Sequence, residues 1–380
     1  MTLEQDSLGT VLGQQGKTTS QNGESYELTI DRNVQSVVEK DLAQAVSDDG
    51  ATSGSVIAMD PKTGAIIALA NYPTFDPNAY GSVAAKDISN FDNAAVTQEW
   101  EPGSIFKPLV MAAALDTGAV DDTTHNFFDE SVTVQGHKIE TALRKPYGDE
   151  TMEQVLANSD NVAMVWVANK LGNQTMYDYL KKFGLGQTTG VDLKNETAGN
   201  LPALSTWTDI DRATIAFGQG IAVSPLQIAT AYAAIANNGK LVTPHIVAAS
   251  IDPNGTRHVV QPAYGAQVIK PATAEDLRNM MVYTVQFAHN RAGTPGYKIG
   301  GKTGTAQIPD PVNGGYIADA YNHSFVGIGP SDDPKYVLLV KIDHPDIAKV
   351  GLYAESTAVP LFNQISSFML SYYQIPPTNR

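Results

Sequence analysis

The chain has no cysteine. Neither a disulfide framework nor a thiolate metal site can be built, which is compatible with an extracytoplasmic protein without requiring one. The seven histidines, at 125, 137, 245, 258, 289, 323 and 344, are scattered and include no His-x-x-x-His pair, so the pattern calls for no metal and no other cofactor. Basic charge is scarce too: 25 Lys and Arg face 40 Asp and Glu, for a formal charge of −15. With no basic run and no interleaved aromatic patch, a phosphate-tracking surface is not expected and nucleic acid is excluded as a partner class. No apolar run approaches the ~18 residues of a bilayer span, and the opening MTLEQDSLGT lacks the basic-then-apolar layout of a signal peptide. If the protein works outside the cell, its anchor or export signal is expected to be missing from this sequence.

What is present is a chain of 380 residues, 42% apolar and 17% charged, enough for one large or two medium domains with real cores. Residues 1–25 are polar and rich in Gly, Gln, Thr and Ser; they are expected to be a linker or the remnant of an N-terminal pedestal domain. Asp31 then caps an amphipathic helix with Val34, Val37, Val38, Leu42, Ala45 and Val46 on one stripe. Two apolar runs, Ser55 to Met59 and Ala65 to Ala70, flank the turn residues Asp60-Pro61-Lys62-Thr63-Gly64 and predict a hairpin. The middle third predicts helices, over Glu153 to Leu171, Thr175 to Phe183 and the segment opened by Ser224-Pro225-Leu226-Gln227. Strands return at Tyr297 to Ile308, Ser324 to Gly329 and Tyr336 to Ile342, followed by an amphipathic helix carrying Val359, Leu361, Phe362, Ile365, Phe368 and Met369. The expected fold is α+β: one central antiparallel β-sheet from residues 50–72 and 296–345, flanked by helices, with an all-helical subdomain inserted over 105–295.

The stretch WEPGSIFKPLV, Trp100 to Val110, carries the chemistry. Ser104 and Lys107 are three residues apart, so on a helix hydroxyl and amine share one face and a nucleophile lies beside a candidate base. Lysine is normally charged at neutral pH; burial or a second cation nearby frees its lone pair. Pro108 has no N–H to return to Ser104, so a bent or tightened first turn is expected, with Ser104 at a helix start where free amides point outward. Two more motifs follow in order, Ser159-Asp160-Asn161 and Lys302-Thr303-Gly304-Thr305. Ser-x-x-Lys, Ser-Asp-Asn and Lys-Thr-Gly together resemble the motif set of penicillin-binding proteins and class A β-lactamases. Taken singly, Ser159 and Asn161 could be helix caps and Lys302 a strand lysine; their joint order and flanks carry the reading. Lys62-Thr63-Gly64 and Ser20-Gln21-Asn22 repeat parts of the pattern, but both precede Ser104, in a turn and in the linker, and are assigned to structure.

From about Tyr26 to Phe368 the chain resembles the transpeptidase domain of a class B penicillin-binding protein. Besides the motifs, the resemblance rests on LTIDRNVQ, Glu101-Pro102-Gly103, GVDL, FGQGIAVSPLQIATAYAAIANNGKLVTPHIV, GKTGTAQ and HSFVGIGP. Two departures stand out: Asn93-Ala94-Ala95 where the family often has Asn-Arg-Ala, and Ile105 where it often has threonine. The resemblance implies a penicillin-binding, serine β-lactamase-like fold and a D,D-transpeptidase that cross-links peptidoglycan stem peptides ending in D-Ala-D-Ala. In that mechanism Ser104 is the nucleophile, Lys107 its base, Ser159 a proton relay, Asn161 an orienting amide, and the Ser104 and Thr305 amides the oxyanion hole. Lys302, Thr303 and Thr305 would bind the terminal carboxylate, with Gly304 between them. β-Lactams would acylate Ser104. A place on the outer face of the bacterial cell membrane, and a membrane glycosyltransferase engaged through a missing N-terminal region, are implied likewise. A D,D-carboxypeptidase or weak β-lactamase, in which water replaces the acceptor amine, and a penicillin-sensing domain are the alternatives. The Glu-x-x-Leu-Asn element of class A β-lactamases is absent after Ser159-Asp160-Asn161.

Overall fold

In the strand Ser53–Met59, Val56 and Ala58 point to one side and Ile57 and Met59 to the other, and all four are fully buried. The same holds for Tyr336–Asp343, where Tyr336, Leu338 and Val340 oppose Val337 and Leu339. A strand covered on both faces loses the apolar–polar alternation and becomes a continuous hydrophobic run. These strands are central in a five-stranded antiparallel sheet, in the order Gly300–Pro309, Tyr316–Gly329, Tyr336–Asp343, Ser53–Met59, Ile66–Tyr72. The computed structural model describes residues 2–5, 7, 8, 10–15 and 22–378.

One face of the sheet is covered by the helices Arg32–Asp49, through Val34, Val38, Leu42 and Val46, and Ala358–Tyr372, through Val359, Phe362, Ile365 and Met369. Asp31 caps the first, accepting N–H bonds from Asn33 and Val34, and Gly50 ends it in the left-handed region. The other face packs on Pro225–Ala236 and Pro271–Ala288, and Lys107–Thr117 and Asn161–Lys182 join the same core. Every residue of Pro225–Ala236 is buried, as its run of small apolar side chains requires. Each large side chain withdrawn from water in these layers contributes about 2 kcal/mol.

The subdomain expected to be all-helical is not. Within residues 105–295 the strands His125–Phe128 and Gly148–Thr151 pair, as do Ser131–Val134 with His137–Glu140, and Lys240–Val242 with Tyr264–Gln267. The second pair turns at Gln135 and Gly136, whose φ values are 48° and 82°; two adjacent left-handed residues make the turn that suits the twist of a hairpin. The helices expected at Glu153 to Leu171 and Thr175 to Phe183 are instead Met152–Ala157 and Asn161–Lys182, the latter kinked at Gly172.

By contacts the chain divides into Thr29–Ile246 with Pro262–Arg380, and a smaller unit of Met1–Leu28 with Val247–Gln261. The smaller unit pairs Thr2–Gln5 with Val11–Gln15 and builds a three-stranded sheet in the order Arg257–Val259, Val247–Ile251, Ser25–Leu28. Its Arg257 Nε donates to Glu27 at 2.8 Å. The residues expected to be a linker or the remnant of an N-terminal pedestal domain contain paired strands, and the edge at residue 26 falls inside a strand because Ser25–Leu28 finds its partner far along the chain. Residues 16–21, with most of Ser20-Gln21-Asn22, lie outside the described residues.

Candidate active site

The turn that carries Ser104 is set by a missing donor. Pro108 is four residues after Ser104 and has no N–H, so the Ser104 carbonyl accepts from Lys107 N instead, and Gly103–Phe106 forms a 3-10 turn before the α-helix begins at Lys107. Ahead of it, Gly103 takes φ 59° and donates its N–H to Gly218 O at 3.1 Å. Buried Tyr232 donates its hydroxyl to Ile105 O at 2.6 Å. The turn is therefore held from the outside, with Ser104 partly exposed while Ile105, Phe106 and Lys107 are buried. The Ile105 side chain packs toward Gly304.

Lys107 Nζ meets three oxygens: Ser159 O at 2.6 Å, Asn161 Oδ1 at 2.8 Å and Ser159 Oγ at 3.1 Å. A carbonyl and an amide oxygen can only accept, so two N–H bonds are committed there. The Ser159 hydroxyl can accept a third N–H from an ammonium or donate O–H to the lone pair of a free amine. Among the described residues, no hydrogen bond joins Ser104 Oγ to Lys107 Nζ.

Ser159 reaches this position through a left-handed backbone, φ 54°, a conformation that costs a non-glycine residue of order 1–2 kcal/mol. It lies in the break between Met152–Ala157 and Asn161–Lys182. Asp160 starts the second helix by accepting N–H bonds from Val162 and Ala163 at 2.7 and 3.2 Å. Asn161 Nδ2 donates to Glu140 O at 3.1 Å, which turns the amide so that its oxygen faces Lys107.

The third motif lies on Gly300–Pro309, an edge strand of the sheet, with Lys302 opposite Val326, Thr303 opposite Phe325, Gly304 opposite Ser324 and Thr305 opposite His323. Gly304 is there because a Cβ would overlap Ser324 Oγ and press on Ile105 and the Pro102 carbonyl. Lys302 is fully buried and donates weakly to Thr303 O and Oγ1, at 3.3 and 3.4 Å. Burial lowers it to about 8, against the pull of Glu355 in the other direction. Lys107 is pushed well below the ordinary lysine value, first by burial and then by the charge of Lys302, with Asp160 and Glu150 opposing. The two lysines divide the roles that burial creates: one sheds its proton readily, the other still carries one at neutral pH.

Sequence reasoning missed the support around Lys302. Thr303 Oγ1 is 3.1 Å from His289 Nε2, and His289 Nδ1 is 2.9 Å from Glu355 Oε1, an ion-pair distance at which the ring N–H does not point along the contact. Burial lowers the His289 pKa. Buried His323 bonds Thr357 Oγ1 at 2.9 Å and Leu352 O at 2.8 Å, holding the segment whose Ala354 N–H reaches Thr305 Oγ1 at 3.4 Å. No local spacing announces His289 or Glu355, because their partners are distant in sequence; His323 stands at the head of the HSFVGIGP stretch. The second Lys-Thr-Gly is a turn: Lys62 pairs with Asp333 at 2.7 Å, half exposed, and Thr63 bonds Asp60.

Residues 54–367 match the family model of the penicillin binding protein transpeptidase domain. The chain belongs to this family, in its class B. The transpeptidase domain is 34% identical to penicillin-binding protein PbpB of Mycolicibacterium smegmatis over 363 residues, covering 93% of this chain and 56% of that protein. It is 36% identical to stage V sporulation protein D of Bacillus subtilis over 333 residues, 86% of this chain and 51% of that one. Among solved structures it is similar to penicillin binding protein 3 of Mycobacterium tuberculosis complexed with aztreonam, with a TM-score of 0.88, 32% identity, and coverage of 98% of this chain and 86% of that chain. The transpeptidase domain thus spans about half the length of the curated relatives it matches.

Proposed function

We propose that the chain is a serine-type D,D-transpeptidase acting on peptidoglycan stem peptides that end in D-Ala-D-Ala. The observation that carries the reading is the buried Lys107 amine, bonded to Ser159 and Asn161 and depressed by burial and by Lys302. Lys107 takes the proton as Ser104 Oγ attacks the carbonyl of the penultimate D-alanine. The oxyanion forms against the Ser104 and Thr305 amides, where one donor is typically worth about 3 kcal/mol. Lys302, with the Thr303 and Thr305 hydroxyls, holds the terminal carboxylate, and Gly304 lets strand and nucleophile turn approach. Ser159 passes the proton from Lys107 to the leaving D-alanine amine, leaving an acyl group on Ser104. An amine of a neighbouring stem then attacks that ester, releases Ser104, which recovers its proton, and completes the cross-link.

The open edge of Gly300–Pro309 suits this chemistry, since an extended peptide can add to a sheet edge by main-chain hydrogen bonds. A β-lactam offers a similar carbonyl and carboxylate, so it acylates Ser104 and persists because no positioned water is supplied. The reading places the domain at the cell wall, on the outer side of the bacterial membrane; the resemblance to longer relatives extends it to a membrane glycosyltransferase partner reached through their N-terminal regions.

The test is turnover of a D-alanyl thioester with and without a D-amino acid acceptor. Transfer to the amine supports the transpeptidase. Release to water alone supports a carboxypeptidase, rapid loss of a penicillin adduct a weak β-lactamase, and a stable adduct with no thioester turnover a penicillin sensor.

A further inference from the structure

Close enough to Lys107 for it to feel their charge, two acidic side chains are buried together. Glu150 is 2% exposed and Asp160 not at all. One oxygen of each is accounted for: Glu150 Oε1 accepts from Asn158 Nδ2 at 2.6 Å, and Asp160 Oδ1 caps Asn161–Lys182. The other two, Glu150 Oε2 and Asp160 Oδ2, are buried without a partner, although the two carboxyl groups lie within hydrogen-bond reach of each other. Carboxylate oxygens only accept, so two facing each other in a dry site repel and leave both unsatisfied. A single proton between them satisfies both at once, as an O–H···O bond to a carboxylate.

We propose that Glu150 and Asp160 share one proton, and that the un-ionised Glu150 is a positioning residue for Lys107 that keeps a second negative charge away from the base. The inference rests on the reading of Lys107 as the base for Ser104. The proton resides on Glu150, because Asp160 already accepts two backbone N–H groups at a helix start, where a negative charge is favoured. Burial and Asp160 raise the Glu150 carboxyl to about 7, with the Asn158 bond and the charge of Lys107 opposing. The ionisable groups facing the pair are Lys107 from the nucleophile helix, Tyr147 from the segment leading into the Glu150 strand, and Lys302 through its effect on Lys107. If Glu150 ionises, the site around Lys107 gains a charge that favours the ammonium and withdraws the base. Among the described residues, the strand that carries Glu150 pairs with His125–Phe128 alone.

The test is the pH profile of Ser104 acylation by a fluorescent penicillin, from about pH 6 to about pH 9, in the wild-type chain and in Glu150→Gln. Glutamine keeps an oxygen for Asn158 and offers an N–H to Asp160 Oδ2, but cannot ionise. The expected result is labelling of both chains, with the rising limb of the variant displaced to lower pH by about one unit, the size of shift one nearby charge produces. Superimposable profiles overturn the proposal when the infrared measurement below finds no protonated glutamic acid at pH 6; with that band present they mean that Glu150 stays un-ionised across the range, as proposed. Loss of labelling in Ser104→Ala, measured alongside, tests the reading of the nucleophile separately. If Glu150→Gln does not fold, infrared spectroscopy of the wild-type chain carrying 13C-carboxyl glutamate decides independently of activity. A protonated glutamic acid band at pH 6 that fades near pH 7 supports the shared proton, and its absence at pH 6 refutes it.

Discussion

Lys107 Nζ and the Ser159 carbonyl oxygen are 2.6 Å apart, although one residue opens a helix and the other sits in the break between two others, 52 positions further along the chain. That contact depends on the left-handed backbone of Ser159, which turns its carbonyl and its hydroxyl toward the same amine. In the proposed mechanism this hydroxyl, 3.1 Å from Lys107 Nζ, carries the proton to the leaving group. Removing it leaves the carbonyl contact in place, so Ser159→Ala is expected to fold normally and to lower thioester turnover by about 100-fold or more, the range of one general acid. Comparing its kcat with the wild-type value checks this; an unchanged kcat would remove Ser159 from the proton path.

Lys302 and Lys62 head identical tripeptides in opposite surroundings. Lys302 is fully buried beside Thr303, whereas Lys62 is half exposed and paired with Asp333. Lys302→Ala is expected to slow penicillin acylation by about 100-fold or more, since it removes a charge acting on both the carboxylate and Lys107. Lys62→Ala should leave the rate within about twofold, as an exposed ion pair contributes little. Labelling rates of the two variants, measured side by side, would reverse this order if the turn were the true motif.

Glu355 holds the Lys302 proton in place, since its charge raises a pKa that burial lowers to about 8. Glu355→Gln removes the opposing influence, so Lys302 should lose its proton at lower pH. The alkaline limb of acylation is expected to move to lower pH in this variant, with KM for a carboxylate-bearing substrate rising near pH 8 and kcat less affected. A limb that stays in place would separate Glu355 from Lys302.

The three motifs were legible as text because each is local: a helical spacing, a helix start, a strand. The sheet was legible for the same reason, its central strands being unbroken apolar runs such as Val337 to Val340. What escaped the sequence was pairing at long range. Val132 to Glu140 contains a hairpin whose turn residues, Gln135 and Gly136, lie between short alternating runs that a helical reading of the surroundings absorbed. His289 and Glu355 meet across 66 positions, and Glu150 and Asp160 meet across a helix, so neither pair has a spacing to notice. Burial, too, is a property of the assembled layers, and it is burial first that lowers the Lys107 pKa.

Asp49 tests the electrostatics at a distance from the site. It ends the helix Arg32–Asp49, where the helix dipole disfavours an anion; its Oδ2 is buried without a partner, and burial and Asp48 raise it to about 6. A carboxyl whose folded-state pKa lies above its unfolded value binds its proton more tightly when folded, so its ionisation destabilises the fold as pH rises from about 4 to about 6 and by a constant amount above that. Asp49→Asn is therefore expected to raise the melting temperature more at pH 7.5 than at pH 4.5. Thermal scans of both chains at the two pH values check the sign; an equal or reversed difference would contradict it.

The most direct measurement is intact mass after a penicillin, followed by mapping of the modified peptide, in the wild-type chain and in Ser104→Ala. A deprotonated Lys107 activating its neighbour predicts one stoichiometric adduct on the peptide containing Ser104, and none in Ser104→Ala at an unchanged melting temperature. An adduct on another residue, or labelling that survives in Ser104→Ala, would contradict the account.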